Sequence, residues 1–216
     1  MNLLDPAFGS MAAATGAEER LEKSRSVKQL SEDVMGRVQT MVWSGLYTRE
    51  QILQDLEGVI EDEGEEVSLD HQHAIVDGLL QEKKEAEDGW PEHTDCDKLD
   101  AAFARLELEK IIALQNAGYT QSDGYEDCCE VYQRRGGASC GSIGFCFYQF
   151  QDLGRAVRGE PLYLSYGTFK PSDSEAVGVG RTICAVLEGQ ELTVDWNGRP
   201  ETRPRILNLD WKRRGP

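Results

Sequence analysis

No apolar run in the chain approaches the roughly 18 residues that span a bilayer, and only three of its 216 residues are His. The first absence excludes a transmembrane helix. The second leaves little material for a histidine-based catalytic or metal centre. The six cysteines, Cys96, Cys128, Cys129, Cys140, Cys146 and Cys184, include no Cys-x-x-Cys spacing, and no basic-then-apolar secretory leader precedes them. A reducing, cytoplasmic setting is the expectation. The chain also has no Gly-Lys-Ser/Thr phosphate loop: the Gly-rich stretch Gly136–Gly144 leads into a strand pattern, whereas such a loop precedes a helix. No cofactor is implied.

What is present is 39% hydrophobic residues with 17 aromatics, enough for one large domain or two small ones. The net charge of −16 is unevenly spread: residues 1–115 carry 11 Lys+Arg against 26 Asp+Glu, and residues 116–216 carry 12 against 13. Such an acidic half repels phosphate backbones, so nucleic acid is a disfavoured partner and basic proteins and cations are favoured ones. For the same reason a winged-helix reading of residues 96–117 loses its DNA. The Gly9-Ser10-Met11 step resembles a cloning junction, so residues 1–10 are read as tag-like and 1–29 together as a mobile lead-in.

From residue 30 the apolar spacing is helical. Leu30, Val34, Val38, Met41 and Val42 form one stripe that stops at Gly45. Thr48 and Gln51 make a capping box before Ile52, Leu53, Leu56, Val59 and Ile60. An acidic loop at 61–66 precedes a third helix with Leu69, Val76, Leu79 and Leu80 inward, which ends at Gly89-Trp90-Pro91. Thr94 and Asp97 box a fourth helix carrying Leu99, Ala102, Phe103 and Leu106.

Residues 30–110 thus read as an acidic helical subdomain and 111–214 as an α+β sheet subdomain. In the latter, strands are expected at 111–114, 143–150, 161–167, 192–196 and 207–211, with helices at 123–134 and 175–187 and a short one after Asp152. That order resembles a ferredoxin-like βαββαβ sheet plus one strand. Whether the 152–160 link makes the middle strands parallel or antiparallel stays open.

Polar residues at the element ends, Tyr119, Ser122, Asp123, Tyr125, Asp127, Gln151 and Asp152, form a candidate binding cluster. Within it Asp123, Asp127 and Asp152 are the carboxylates that acid–base work or a divalent cation would use. The competing reading is that Asp123 and Asp152 are helix caps. His71 and His73, and His93 with Cys96, offer spacings for a metal, but adjacent Cys128 and Cys129 diverge on a helix, and no metal is expected. Cys96 lies in a first helical turn that lowers its pKa, beside Asp95 and Asp97 that raise it; Cys146 and Cys184 read as core. The basic end, Arg199, Arg203, Arg205, Lys212, Arg213 and Arg214, suits pairing with the chain's own acidic half.

The motifs Thr94-Asp-Cys-Asp-Lys-Leu-Asp-Ala-Ala-Phe103, Gly118-Tyr-Thr-Gln-Ser-Asp-Gly-Tyr-Glu-Asp127, Gly144-Phe-Cys-Phe-Tyr-Gln-Phe-Gln-Asp152 and Leu162-Tyr-Leu-Ser-Tyr-Gly167 resemble a bacterial family catalogued only as a domain of unknown function. The resemblance covers about residues 31–214. Many relatives carry a His near the middle of the third motif where this chain has Gln149-Phe150, so the resemblance implies no catalytic histidine, and it implies no activity. The expected function is a non-enzymatic, cytoplasmic protein-binding or regulatory module. The alternatives are a carboxylate- or metal-dependent hydrolase and an immunity-type protein that neutralises a basic toxin.

Overall fold

A computed structural model of the chain describes residues 30–63, 67–170 and 172–216. The lead-in at 1–29 and positions 64–66 of the expected acidic loop lie outside the described residues. Helix α1 (Glu32–Ser44) opens on Ser31, whose hydroxyl accepts from the Val34 amide. It stops at Gly45 with φ +68°, a left-handed turn that suits a residue without Cβ. A Cβ there would also collide with the Arg213 carbonyl, so this glycine is fixed twice over. Helix α2 (Arg49–Glu63) starts from the expected Thr48–Gln51 reciprocal bonds and continues through the first residues of the expected acidic loop. Helix α3 (Leu69–Glu87) follows the Ser68 cap; Val76 is buried, but Leu69, at its first position, is exposed rather than inward.

These three helices share one aliphatic core of Val34, Val38, Met41, Val42, Ile52, Leu56, Ile60 and Val76. Ion pairs Arg37–Asp55 and Arg49–Asp77 tie α1 to α2 and α2 to α3. Helix α4 (Asp95–Leu108), counted with them by sequence, packs elsewhere. Leu99, Ala102, Phe103 and Leu106 join the core beneath the sheet strands. No helix among the described residues is long and apolar enough to cross a membrane.

The rest is mixed α/β. Strands β1 (Ile111–Leu114) and β2 (Gly144–Phe147) pair in parallel across α5 (Gln121–Arg134). After α6 (Phe150–Val157) come β3 (Leu162–Tyr163) and β4 (Ser165–Gly167), then α7 (Asp173–Gly189), β5 (Thr193–Asp195) and β6 (Arg205–Leu207). Strand β2 is central in the sheet β1-β2-β4, and its apolar content on both faces follows from this position. Ile111, Cys146 and Tyr148 enter the core shared with α4 and α7, while Ile112, Phe145 and Phe147 enter a second core under α5.

The structure does not confirm a ferredoxin-like sheet. The strands divide into two three-stranded sheets, β1-β2-β4 and β3-β6-β5. The cause lies at 161–167, read as one strand: Leu164 leaves both ladders to donate its amide to the Pro204 carbonyl. The two residues before it pair with β6 and the three after it pair antiparallel with β2. The question of parallel or antiparallel middle strands is thereby answered for β2 and β4. Leu209 and Trp211, expected in the last strand, are buried but lie beyond β6.

Segment 210–215 straps the two parts together. Trp211 Nε1 donates to the Ser44 carbonyl (3.1 Å), Arg213 makes a fork to Asp100 (2.6 and 2.7 Å), and Arg214 donates to the Pro91 carbonyl (2.9 Å).

Candidate functional site

In open α/β sheets ligands gather outside the carboxyl ends of parallel strands. Here those ends are Leu114 and Phe147, and the loops that follow carry the residues singled out in the sequence. Asp123 sits three residues into α5, with Thr120 rather than Asp123 as the cap. Its carboxylate accepts from the Thr120 amide (2.9 Å) and the Tyr119 amide (3.3 Å). The Thr120 amide and hydroxyl hold this carboxyl below its ordinary value. It is an anion committed to the helix start. Ser122 and Gln151 face solvent, and Tyr125 leans on Phe145 with centroids 5.3 Å apart.

Asp127, one turn further, lines a cleft of about 250 Å³ with Asn116, Glu130 and Arg134. Asp152 is 0% exposed and is not a cap but half of an ion pair. It accepts from Arg203 Nη1 (2.7 Å) and Nη2 (3.3 Å), and from Arg155 at 3.4 Å. Arg203 also reaches the Ser165 hydroxyl at 3.4 Å. The three aspartates thus serve a helix start, an open cleft and a buried pair. Among the described residues no group of three or more His, Cys, Asp or Glu is placed to hold a metal ion.

Tyr119 belongs to a different grouping. Its ring stacks on Phe150 (5.4 Å) under the Arg37 guanidinium, which lies 5.1 Å and 5.2 Å from the two centroids. Tyr47 and Asn116 complete this cleft of about 210 Å³ between α1 and the sheet. Asn116, with φ +52°, donates from Nδ2 to the Tyr47 hydroxyl (2.5 Å), leaving Oδ1 buried without a partner. Gln149 Oε1 is buried and unpartnered in the same way. Arg37, Tyr47, Asn116 and Gln149 were not among the sequence candidates. The signal was the Asn-Ala-Gly step after β1, which marks a left-handed bend as well as a strand end.

The thiols are set by burial. It pushes Cys96 and Cys184 up to about 11 and Cys128 up to about 12, and it raises Cys146 further. At Cys96 burial outweighs the nearby Arg213 and the backbone of Lys212, which favour the thiolate. Of the basic C-terminal residues, Arg213 and Arg214 do meet the helical side, at Asp100 and at the Trp90 and Pro91 carbonyls. Arg203, Arg205 and Lys212 instead pair inside the sheet half, with Asp152, Asp195 and Asp210.

The helical side keeps its negative charge on the surface. Residues 30–110 contain seven Lys+Arg and 22 Asp+Glu. Five of those cations, Arg37, Arg49, Lys83, Lys98 and Arg105, are already in ion pairs. Glu50, Glu57 and Glu61 recur at seven and four along α2, one exposed stripe of the helix. Glu57, Glu61, Asp70 and Glu82 are exposed and form no ion pair among the described residues.

Helices clasped to two small sheets, with an anionic outer face and a polar cleft at the ends of one parallel pair, define a mixed α/β protein. The chain belongs to the family described as a domain of unknown function (DUF6891), whose model matches residues 27–215. Searches of curated proteins and of solved structures returned no match.

Proposed function

We propose that this protein is a non-enzymatic binding module that docks a basic protein through the outer face of α2 and α3. One observation carries the reading: five of the seven cations of the helical part are in ion pairs, Lys84 being the exposed exception on α3, while Glu57, Glu61, Asp70 and Glu82 on α2 and α3 stay exposed and form no ion pair among the described residues. Such a face steers a positively charged partner and turns away other acidic surfaces. The uses found for Asp123 and Asp152, a helix start and a buried ion pair, support a scaffold role for these carboxylates. Neutralisation of a basic toxin is one form the reading takes.

The test uses the full chain, a fluorescently labelled oligolysine peptide and two triple variants of equal charge change. Glu57→Lys, Glu61→Lys and Glu82→Lys alter the helical face; Glu126→Lys, Glu188→Lys and Glu201→Lys alter exposed positions of the sheet half. Fluorescence anisotropy at low salt is expected to show binding weakened by about tenfold or more in the first variant and nearly kept in the second. Equal loss in both would mean net charge alone attracts the peptide, and the proposed face would be wrong.

A further inference from the structure

At the opposite end of the parallel pair, away from the candidate cluster, lies a groove of about 520 Å³. Its walls come from the end of α5 at Tyr132, the Gly-rich loop before β2 and the continuous stretch from the turn after β4 into the first half of α7. Gly136, Gly137 and Gly141, with φ of +102°, +58° and +74°, let the loop double back and present Ser142 and Ile143 to the groove. The stretch that fails as a phosphate cradle in sequence is therefore the wall of a cavity. Tyr132 and Phe169 stack at 3.9 Å beside it, Val179 lies beneath, and Ile143 is 50% exposed. Half-exposed apolar surface in a groove of ligand size is the usual character of a small-molecule site.

Two charged residues line the same groove, Lys170 and Glu175. Both are exposed, and neither forms an ion pair among the described residues. Lys170 differs in this from most cations among the described residues, which are in ion pairs. An apolar trough with one free cation and one free anion matches a ligand that carries both charges and an apolar side chain. We infer that the groove binds a free α-amino acid with an aromatic or branched aliphatic side chain. The ligand's carboxylate meets Lys170, its ammonium meets Glu175, and its side chain covers Ile143, Phe169 and Val179. Such a ligand would give the binding module a means of regulation by amino-acid supply, at a site separate from the anionic helical face.

The experiment is a titration of the full chain followed by amide NMR shifts, with L-phenylalanine and L-leucine as probes. The controls are 3-phenylpropionate, which lacks the ammonium, and 2-phenylethylamine, which lacks the carboxylate. Saturable shifts centred on Ile143, Phe169 and Val179 are expected with both amino acids, and each control should bind about tenfold more weakly. Gly178 lines the groove and a Cβ there meets nothing within 4 Å, so Gly178→Leu adds bulk at the groove wall from a position with room for the new side chain to start. Leucine is also the better helix former, which keeps α7 intact. This variant should keep its spectrum elsewhere and lose the amino-acid shifts. The inference fails if neither amino acid gives saturable shifts at millimolar concentration, if 3-phenylpropionate binds as well as phenylalanine, or if Gly178→Leu binds unchanged.

Discussion

The helical part and the sheet part hold themselves together by different means. The helices α1–α3 share an almost wholly aliphatic core, and of their two inter-helix ion pairs Arg37–Asp55 is half-buried while Arg49–Asp77 lies at the surface, where such pairs contribute little stability. The sheet part is rich in aromatic contacts: Phe103, Tyr148 and Trp211 meet edge to face, and Tyr132, Phe145 and Phe169 pack on the other side of β2. Its ion pair Asp152–Arg203 has a fully buried anion. Charge is thus structural in one half and largely free in the other. The face with spare charge is the one on which the proposed docking rests.

The strongest way to break this contrast is to remove the buried anion. Asp152→Ala leaves the Arg203 guanidinium, itself partly covered, without its main partner, and should cost about 3–5 kcal/mol by chemical denaturation. Truncating the helical core comes next: Ile52→Ala should cost about 2–4 kcal/mol. If the strap makes one co-operative unit, both variants shift a single transition. A separate early transition seen only with Ile52→Ala, by circular dichroism and near-ultraviolet signals together, would show that the halves unfold independently.

Smaller effects sharpen the same contrast. Thr94→Ala and Thr120→Ala each remove a capping box and should cost about 1 kcal/mol. The carboxyls they serve, Asp97 and Asp123, are held below their ordinary value first by the backbone amides of Thr94 and Thr120. Their contribution is therefore complete above the unfolded pKa of about 3.9 and lost as pH falls through the lower folded value. Asp97→Asn should flatten the stability profile below about pH 4, and an unchanged acid limb would contradict this. Least of all, Arg49→Ala should cost under about 1 kcal/mol, and still less in high salt.

The helices were legible from sequence because their evidence is local: Thr48–Gln51 and Thr94–Asp97 announce starts, and Gly45 announces a stop, within a few residues of the bonds they make. The same holds for β1 and for the buried centre of β2. The rest depends on distance. The division of 161–167 between two sheets is decided by Pro204, and Asp152 finds Arg203 51 residues away. Helix α4 carries the same periodic stripe whether it packs on helices or on strands, so the sequence pattern does not say which core receives it. The groove beside Ile143 and Phe169 is assembled from α5, the Gly-rich loop and the stretch 168–182, and its parts were legible while their meeting was not.

The strap also has a consequence for how the chain comes to be folded. Ser44 receives its hydrogen bond from Trp211, 167 residues later, and Gly45 lies beneath the backbone of Arg213. A contact of that sequence separation is slow to form, since a long loop must close before it is rewarded. The end of α1 therefore stays uncovered during synthesis until the strap leaves the ribosome. A nascent chain stopped short of Trp211 would present that open seam to chaperones and proteases, so the emergence of Trp211 is what seals the end of α1.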